Sequence, residues 1–168
     1  MRKRLSTIMT IVVALSMLFI AGPVMAGDND TQTVGYEVSA INELAISGNP
    51  AAMTVNAATA GSEPDAVTDT STSFAITTNC ATDAKKITAV LDTAMPSGTT
   101  LKITLAAPAG ATSAGEITLT ASAQDVVTAI DGVASSGHQI SYELDATVAA
   151  GVVSSANKTV TLTIADAS

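Results

Sequence analysis

The stretch that decides the fold class is residues 140–148, which read Ile-Ser-Tyr-Glu-Leu-Asp-Ala-Thr-Val. Apolar residues stand at every second position of this stretch, and polar residues stand between them. Successive side chains of a β-strand point to opposite faces, so this alternation predicts a strand with one face on a core and the other in water. A helix would need apolar residues three and four positions apart.

The same alternation recurs along the chain, with Thr and Ser at most of the intervening positions, as the exposed face of a strand prefers. Clusters of Gly, Pro, Ser and Asn separate the runs. This pattern predicts an all-β fold, an antiparallel immunoglobulin-like β-sandwich of about 8–9 strands with at most one short helix. The further runs that we interpret as strands contain residues 34–40, 44–46, 53–55, 74–76, 87–91, 101–105, 117–121 and 160–164.

Two segments depart from this pattern. Residues 122–130 have apolar residues at spacings of three and four after a Ser cap, which fits one or two helical turns or a strand that carries a bulge. We favour the short helix. Residues 57–72 show no periodicity, and we interpret them as a long surface loop.

The N-terminus has the three parts of a secretory signal peptide. Arg2, Lys3 and Arg4 precede the apolar run of residues 8–20, and a small-residue site ends at Ala26. The run is shorter than the roughly 20 residues of a membrane span, so we expect cleavage rather than anchoring. We therefore divide the chain into a cleaved signal peptide, residues 1–26, and one β-sandwich domain, residues 27–168. The mature protein is expected to be secreted and free of the membrane.

The charge of the mature chain disfavours nucleic acid as a partner. Residues 27–168 contain four lysines and no arginine against fifteen acidic residues. Proteins that bind nucleic acid cluster Lys and Arg to neutralise phosphates, and only Lys85 and Lys86 are adjacent here. The same charge disfavours an anionic membrane and favours solubility after export.

The inventory of chemical groups predicts neither an enzyme nor a cofactor site. His138 and Cys80 are the sole residues of their types, and neither has a partner at motif spacing. We place His138 at an edge of the core and Cys80 as a small residue at a strand end, with a free thiol or an intermolecular disulfide as the alternatives. Scattered Asp and Glu residues leave an enzyme as the third and weakest hypothesis.

Two groups of acidic residues suggest calcium ligands at low specificity. One group surrounds Asp28 and Asp30, and the other contains Glu63, Asp65 and Asp69. The first lacks the glycine and the distal glutamate of a complete calcium loop, so we interpret it as a solvated tail.

Three stretches resemble the fimbrial subunits and the spore coat protein U-like domains. Residues 74–82 look like the strand end with an apolar-x-apolar-Thr-x-Cys pattern, and residues 140–144 are similar to the x-Tyr-x-Leu strand. Ala150-Gly151 followed by residues 158–164 resembles the closing strand of those domains. The chain departs from them in having no second cysteine to pair with Cys80.

The resemblance implies assembly by donor-strand exchange, in which an extended N-terminal segment completes the sheet of the next subunit. The candidate donor strand is residues 34–40, whose alternating side chains are Val34, Tyr36, Val38 and Ala40. The alternative is that this segment forms the first strand of its own domain.

Two hypotheses of function follow. The first is a structural subunit of an extracellular filament, pilus or surface coat, with copies of itself or other surface proteins as partners. The second is a monomeric secreted adhesion or ligand-binding module that uses the 57–72 loop as its contact surface.

Overall fold

A computed structural model describes residues 28–167 of the chain. The predicted signal peptide, residues 1–26, lies outside the described residues. The chain divides between Glu37 and Val38 into two units. Of the first unit, residues 28–37 are described, and they contain neither helix nor strand. All of the strands belong to the second unit.

The part of the chain that the structure describes contains nine strands and a single 3-10 turn, Val148–Ala150. The strands form two antiparallel sheets, one in the order β1-β2-β8-β4-β6 and one in the order β5-β7-β3-β9. The prediction of an all-β sandwich with no more than one short helical element is confirmed. The strands are β1 (Asn42–Ile46), β2 (Val67–Thr78), β3 (Lys85–Leu91), β4 (Thr99–Leu105), β5 (Thr112–Ser113), β6 (Ile117–Thr118), β7 (Gln124–Ile130), β8 (Val133–Ala146) and β9 (Val160–Asp166).

β8 is the centre of the larger sheet, between β2 and β4. Ile140 and Tyr142 point into the core, and Ser141 and Glu143, which alternate with them, are less buried. The alternating stretch lies opposite β4 in an unbroken register from Thr99 opposite Ala146 to Leu105 opposite Ile140. The alternation of apolar and polar residues in the sequence thus follows the alternation of side chains between the two faces of the strand.

The core lies between the two sheets and is almost entirely aliphatic. Both sheets contribute to it, and Phe74 and Tyr142 are its aromatic members. Small side chains allow two sheets to pack closely, which agrees with the scarcity of aromatic residues in the sequence. The buried apolar residues are Phe74, Ile76, Ile87, Ala89, Leu91, Leu101, Ile103, Leu105, Leu119, Val126, Val127, Ile130, Ile140 and Tyr142.

One side of the sandwich is less completely closed. The edge strands β1 and β9 lie against each other there, one from each sheet. The inward side chains of β9, Val160, Leu162 and Ile164, are only half-buried, whereas their partners on β3 are fully buried. An edge strand offers a row of unpaired backbone groups, so this side is where a further strand can add.

The prediction of a short helix over residues 122–130 is wrong. Residues 124–130 form β7, whose register with β3 shifts twice around Ile87. Val126 and Val127 are both buried, which a regular strand with one face in water does not allow and a bulge does. The bulge changes the spacing between apolar residues from two positions to three and four, which is the spacing expected of a helix.

The prediction of a loop over residues 57–72 is wrong for its second half. β2 begins at Val67, and the connection from β1 ends before it. The first six residues of β2 are mostly Thr, Ser and Asp, so they show no apolar alternation, although Thr72 is buried. Conversely, Met53 and Val55 alternate in the sequence but belong to no strand.

Candidate functional site

The candidate donor segment, residues 34–40, belongs to no strand of the structure. Val34, Tyr36 and Val38 are 72%, 94% and 78% exposed. Ala40 is exposed as well. The first strand of the domain is β1, which starts at Asn42. Residues 34–40 therefore do not form the first strand of their own domain, which was the alternative. Their alternating side chains lie on the surface.

Asn79 holds the C-terminal end of this segment. Its side-chain amide donates to the carbonyl oxygen of Ser39 over 2.8 Å, and its side-chain oxygen accepts from the backbone N–H of Ile41 over 2.8 Å. The backbone N–H of Asn79 donates to the carbonyl oxygen of Ile41 over 3.3 Å. Since Asn79 follows the last residue of β2, the chain is fixed at that end of the sheet before it enters β1.

A cleft of about 650 Å³ opens at the other end of β2, between residues 52–58 and residues 151–158; we call it the edge cleft. Ala51 marks its start, since its N–H donates to Asp69 on β2 over 3.3 Å. Segment 52–58 follows β1 along the chain, and segment 151–158 leads into β9, so the edge cleft continues the open side of the sandwich. Its apolar lining includes Met53, Val55, Met95, Leu144 and Val153.

Most of the backbone on the two walls of the edge cleft has no hydrogen-bond partner among the described residues. Residues 52–56 and 152–157 make no hydrogen bond with any other residue of the described range 28–167. Met53 and Val55 are half-buried while Thr54 and Asn56 are exposed, so the first wall has the in-and-out pattern of a strand without a neighbour. Backbone groups in this condition are bonded to water and are available to another chain.

Among the described residues, Lys158 is the sole charged one that lines the edge cleft. Its ammonium donates to Thr93 Oγ1 over 2.6 Å and to the carbonyl oxygen of Ala94 over 2.8 Å. The other three lysines of the described chain all form ion pairs with carboxylates, whereas Lys158 forms none with residues 28–167. The edge cleft thus holds an uncompensated positive charge in an acidic protein.

The other three lysines of the described chain form ion pairs that hold strands together. Lys102 on β4 contacts Asp145 and Glu143 on β8 at 2.7 Å and Glu116 at 3.3 Å. Hydrogen bonds to Asp145 and then to Glu143 raise the pKa of Lys102 above its ordinary value. Lys85 and Asp166 pair across β3 and β9, which raises the pKa of Lys85 and lowers that of Asp166.

The structure does bring one nucleophile to the histidine. Ser135 Oγ lies 2.8 Å from His138 Nε2, and the imidazole is tilted against the ring of Phe74 at a centroid distance of 5.1 Å. The contact depends on Gly137, whose φ of 77° bends β8 between the two residues, so no sequence motif signals it. Among residues 28–167, no carboxylate is hydrogen-bonded to this imidazole to orient it, as a nucleophilic triad requires.

The acidic groups that suggested calcium do not converge. Within the described range, no three His, Cys, Asp or Glu side chains are arranged to hold a metal ion. Asp69 instead accepts hydrogen bonds from Ser71 and Ala51, which lower its pKa, and Glu63 accepts from the N–H of Val148 over 2.6 Å. Cys80 lies two residues past the end of β2, partly exposed, at the strand end where the sequence placed it.

The fold and this surface define the protein only at the level of class, as a β-sandwich of two antiparallel sheets with an open side and an exposed N-terminal segment. Comparison with known proteins finds no family model, no curated protein and no solved structure that matches the chain. Between residues 28 and 167, no helix is long and apolar enough to span a membrane.

Sequence reasoning named the N-terminal segment but missed the edge cleft. Residues 151–158 have no periodicity, and Met95 and Lys158 come from separate loops. The one available signal was the pair Met53 and Val55, which alternates like a strand.

Proposed function

We propose that this protein is a structural subunit of an extracellular filament, pilus or surface coat, and that copies assemble through the N-terminal segment, residues 34–40. The observation that carries the proposal is the exposure of Val34, Tyr36 and Val38. Three large apolar side chains in a row on an alternating segment are costly to leave in water, and burying each is worth about 1.5–3 kcal/mol. Strand addition to another copy would bury them.

The sequence adds support from compartment and composition. The signal-peptide pattern of residues 1–26 fits export, and the acidic mature chain fits a protein that must stay soluble until it assembles. The resemblance of residues 74–82 and 158–164 to fimbrial and coat proteins points in the same direction. In this proposal nucleic acid and membrane are not partners.

The alternative is a monomeric secreted adhesion or ligand-binding module. The observation in its favour is the edge cleft, which has an apolar lining and includes Pro64 and residues 52–58 from the connection between β1 and β2. A filament subunit forms oligomers and a binding module of this kind stays monomeric, so the oligomeric state decides between the two functions.

The test is the mass of residues 27–168 in solution, measured by size-exclusion chromatography with light scattering, with electron microscopy of the early fractions. We expect species of several chains that form regular fibres or sheets. A matched chain that lacks residues 27–40 should elute as a monomer. A wild-type chain that stays monomeric at all concentrations would contradict the proposal and favour the binding module.

A further inference from the structure

The edge cleft exposes part of the hydrophobic core. Met53, Met95 and Leu144 line it, are half-buried and pack against the core, and we call these three side chains the floor of the cleft. Val153 lines the cleft as well and is 45% exposed. The volume of about 650 Å³ falls within the range of small-molecule pockets, about 300–1,000 Å³. The cleft thus offers apolar surface to a small ligand.

The lining favours a flexible aliphatic chain over a ring. Among the described residues, no Phe, Tyr or Trp lines the cleft, so a sugar or an aromatic ring finds no side chain on which to stack. The thioether side chains of Met53 and Met95 are unbranched and adapt to an irregular apolar surface.

The backbone of the walls sets a further limit on the shape of the ligand. Residues 52–56 and 152–157 make no backbone hydrogen bond within the described range, so their N–H and C=O groups must stay in contact with water. A slender chain can lie on the floor and leave these groups hydrated, whereas a bulky body would cover them at a cost in free energy.

The positive charge at the cleft belongs to Lys158, whose ammonium is held in place. Two of its three N–H groups donate to Thr93 Oγ1 and to the carbonyl oxygen of Ala94. Asp92 accepts from the N–H of Thr93 over 2.7 Å and forms no ion pair with Lys158. Since no other residue of the described range accepts from this ammonium, its third N–H is available to an anion.

The ligand that fits these features combines a slender apolar chain with one anionic group. The described lining contains no Asp or Glu that would repel a carboxylate, and a charge-assisted hydrogen bond from Lys158 would hold it. We propose that the edge cleft binds the carboxylate form of a medium-chain aliphatic acid, with the chain on the floor and the carboxylate at Lys158. One chain makes the whole site, so the inference goes beyond the proposed function and does not depend on assembly.

Calorimetric titration of residues 27–168 with laurate, below the concentration at which laurate forms micelles, tests the site. We expect one site per chain with a Kd below about 100 µM. Octanoate, which is shorter by four methylenes, should bind at least about 10-fold more weakly, because each buried methylene changes the affinity about fourfold. Dodecyltrimethylammonium has a chain of the same length and the opposite charge, and it should compete with laurate at least about 10-fold less well than laurate itself.

Variants of Lys158 test the contact with the carboxylate. Lys158→Met keeps an apolar side chain and removes the ammonium, so it should weaken laurate binding at least about 10-fold. Lys158→Arg keeps the positive charge and should bind within about 3-fold of the wild type. The matched control is Lys86→Met, which removes the same charge at a lysine outside the cleft lining and should leave the affinity unchanged.

A pair of neighbouring valines tests the contact with the chain. Val153→Asp places a carboxylate in the apolar lining and should weaken laurate binding at least about 10-fold. Val152→Asp adds the same charge one position earlier, at a fully exposed residue that does not line the cleft, and should bind within about 3-fold of the wild type. Both positions are exposed, so neither substitution should disturb the fold.

The inference is overturned if laurate does not bind, or if Lys158→Met or Val153→Asp binds it as the wild type does. Equal competition by dodecyltrimethylammonium overturns it as well. Cosedimentation with phosphatidylglycerol vesicles without binding of free laurate would mean that an anionic membrane surface is the ligand, which also contradicts the proposal. A chain that binds laurate and never assembles overturns the proposed function alone, and a chain that assembles but binds no laurate overturns this inference alone.

Discussion

Phe74→Ala is expected to lower the free energy of unfolding by about 3–5 kcal/mol. The side chain is 1% exposed and lies on β2 between Ile46 of β1 and His138 of β8, whose ring it contacts. Phe74 and Tyr142 are the aromatic members of the described core, which is otherwise aliphatic, so small core residues such as Ala89 cannot fill the space that Phe74 leaves. Domains of this size are stable by about 5–15 kcal/mol, so the loss is a large share of the total.

Urea unfolding of the mature chain measures this effect. The control is Thr163→Ala on the exposed face of β9, which should change the free energy of unfolding by no more than about 0.5 kcal/mol. A loss below about 1 kcal/mol for Phe74→Ala would mean that this side chain is not enclosed between the sheets.

Gly98→Ala is the second large effect, with an expected loss of about 2–5 kcal/mol in the free energy of unfolding. Gly98 has a φ of 75°, which costs an L-residue about 1–2 kcal/mol. A Cβ there would lie 2.6 Å from the backbone nitrogen of Ala150 and 2.8 Å from its Cα, inside the 3-10 turn. Backbone cannot move aside as a side chain can, and such overpacking adds about 1–3 kcal/mol.

The same residue anchors one end of the edge cleft. The carbonyl oxygen of Gly98 accepts from the N–H of Thr147 over 2.8 Å and from its hydroxyl over 3.2 Å, so displacement of the glycine also displaces the turn that borders the cleft. Gly110→Ala is the matched control. Gly110 has a φ of 86° but no atom within 4 Å of the added Cβ. The substitution there should therefore cost only the free energy of the unfavourable backbone conformation. Equal losses for both variants in thermal or urea unfolding would contradict the close approach of Gly98 to Ala150.

The sequence predicted the strands whose pairing is regular and whose inner face is apolar. β3, β4, the part of β8 from Ile140 onward and β9 as far as Ile164 follow the period of two, because each has one face on the core. The prediction is wrong where tertiary pairing decides the structure. β7 carries a bulge that places Val126 and Val127 on the same side, and the first half of β2 is held by pairing with β8 although its residues are polar.

One part of the candidate site could be predicted from the sequence and the other could not. Residues 34–40 were recognised because alternation is a local property of the sequence. The edge cleft was not, since its walls come from residues 52–58 and 151–158, which are brought together only by the closing of β1 against β9. Lys158 could not be recognised from the sequence either. It has no carboxylate partner within the described chain, and this depends on the folded surface rather than on any sequence pattern.

Hydrogen exchange of backbone amides, resolved by peptide, tests the central claim most directly. The comparison is between the wild-type chain at assembling concentration and a variant with Val34, Tyr36 and Val38 replaced by Asp, which we expect to be monomeric. Assembly should slow the exchange of residues 34–40 at least 10-fold through new backbone hydrogen bonds, while β5 stays unchanged. Assembled protein in which residues 34–40 still exchange at the monomer rate would contradict assembly through this segment.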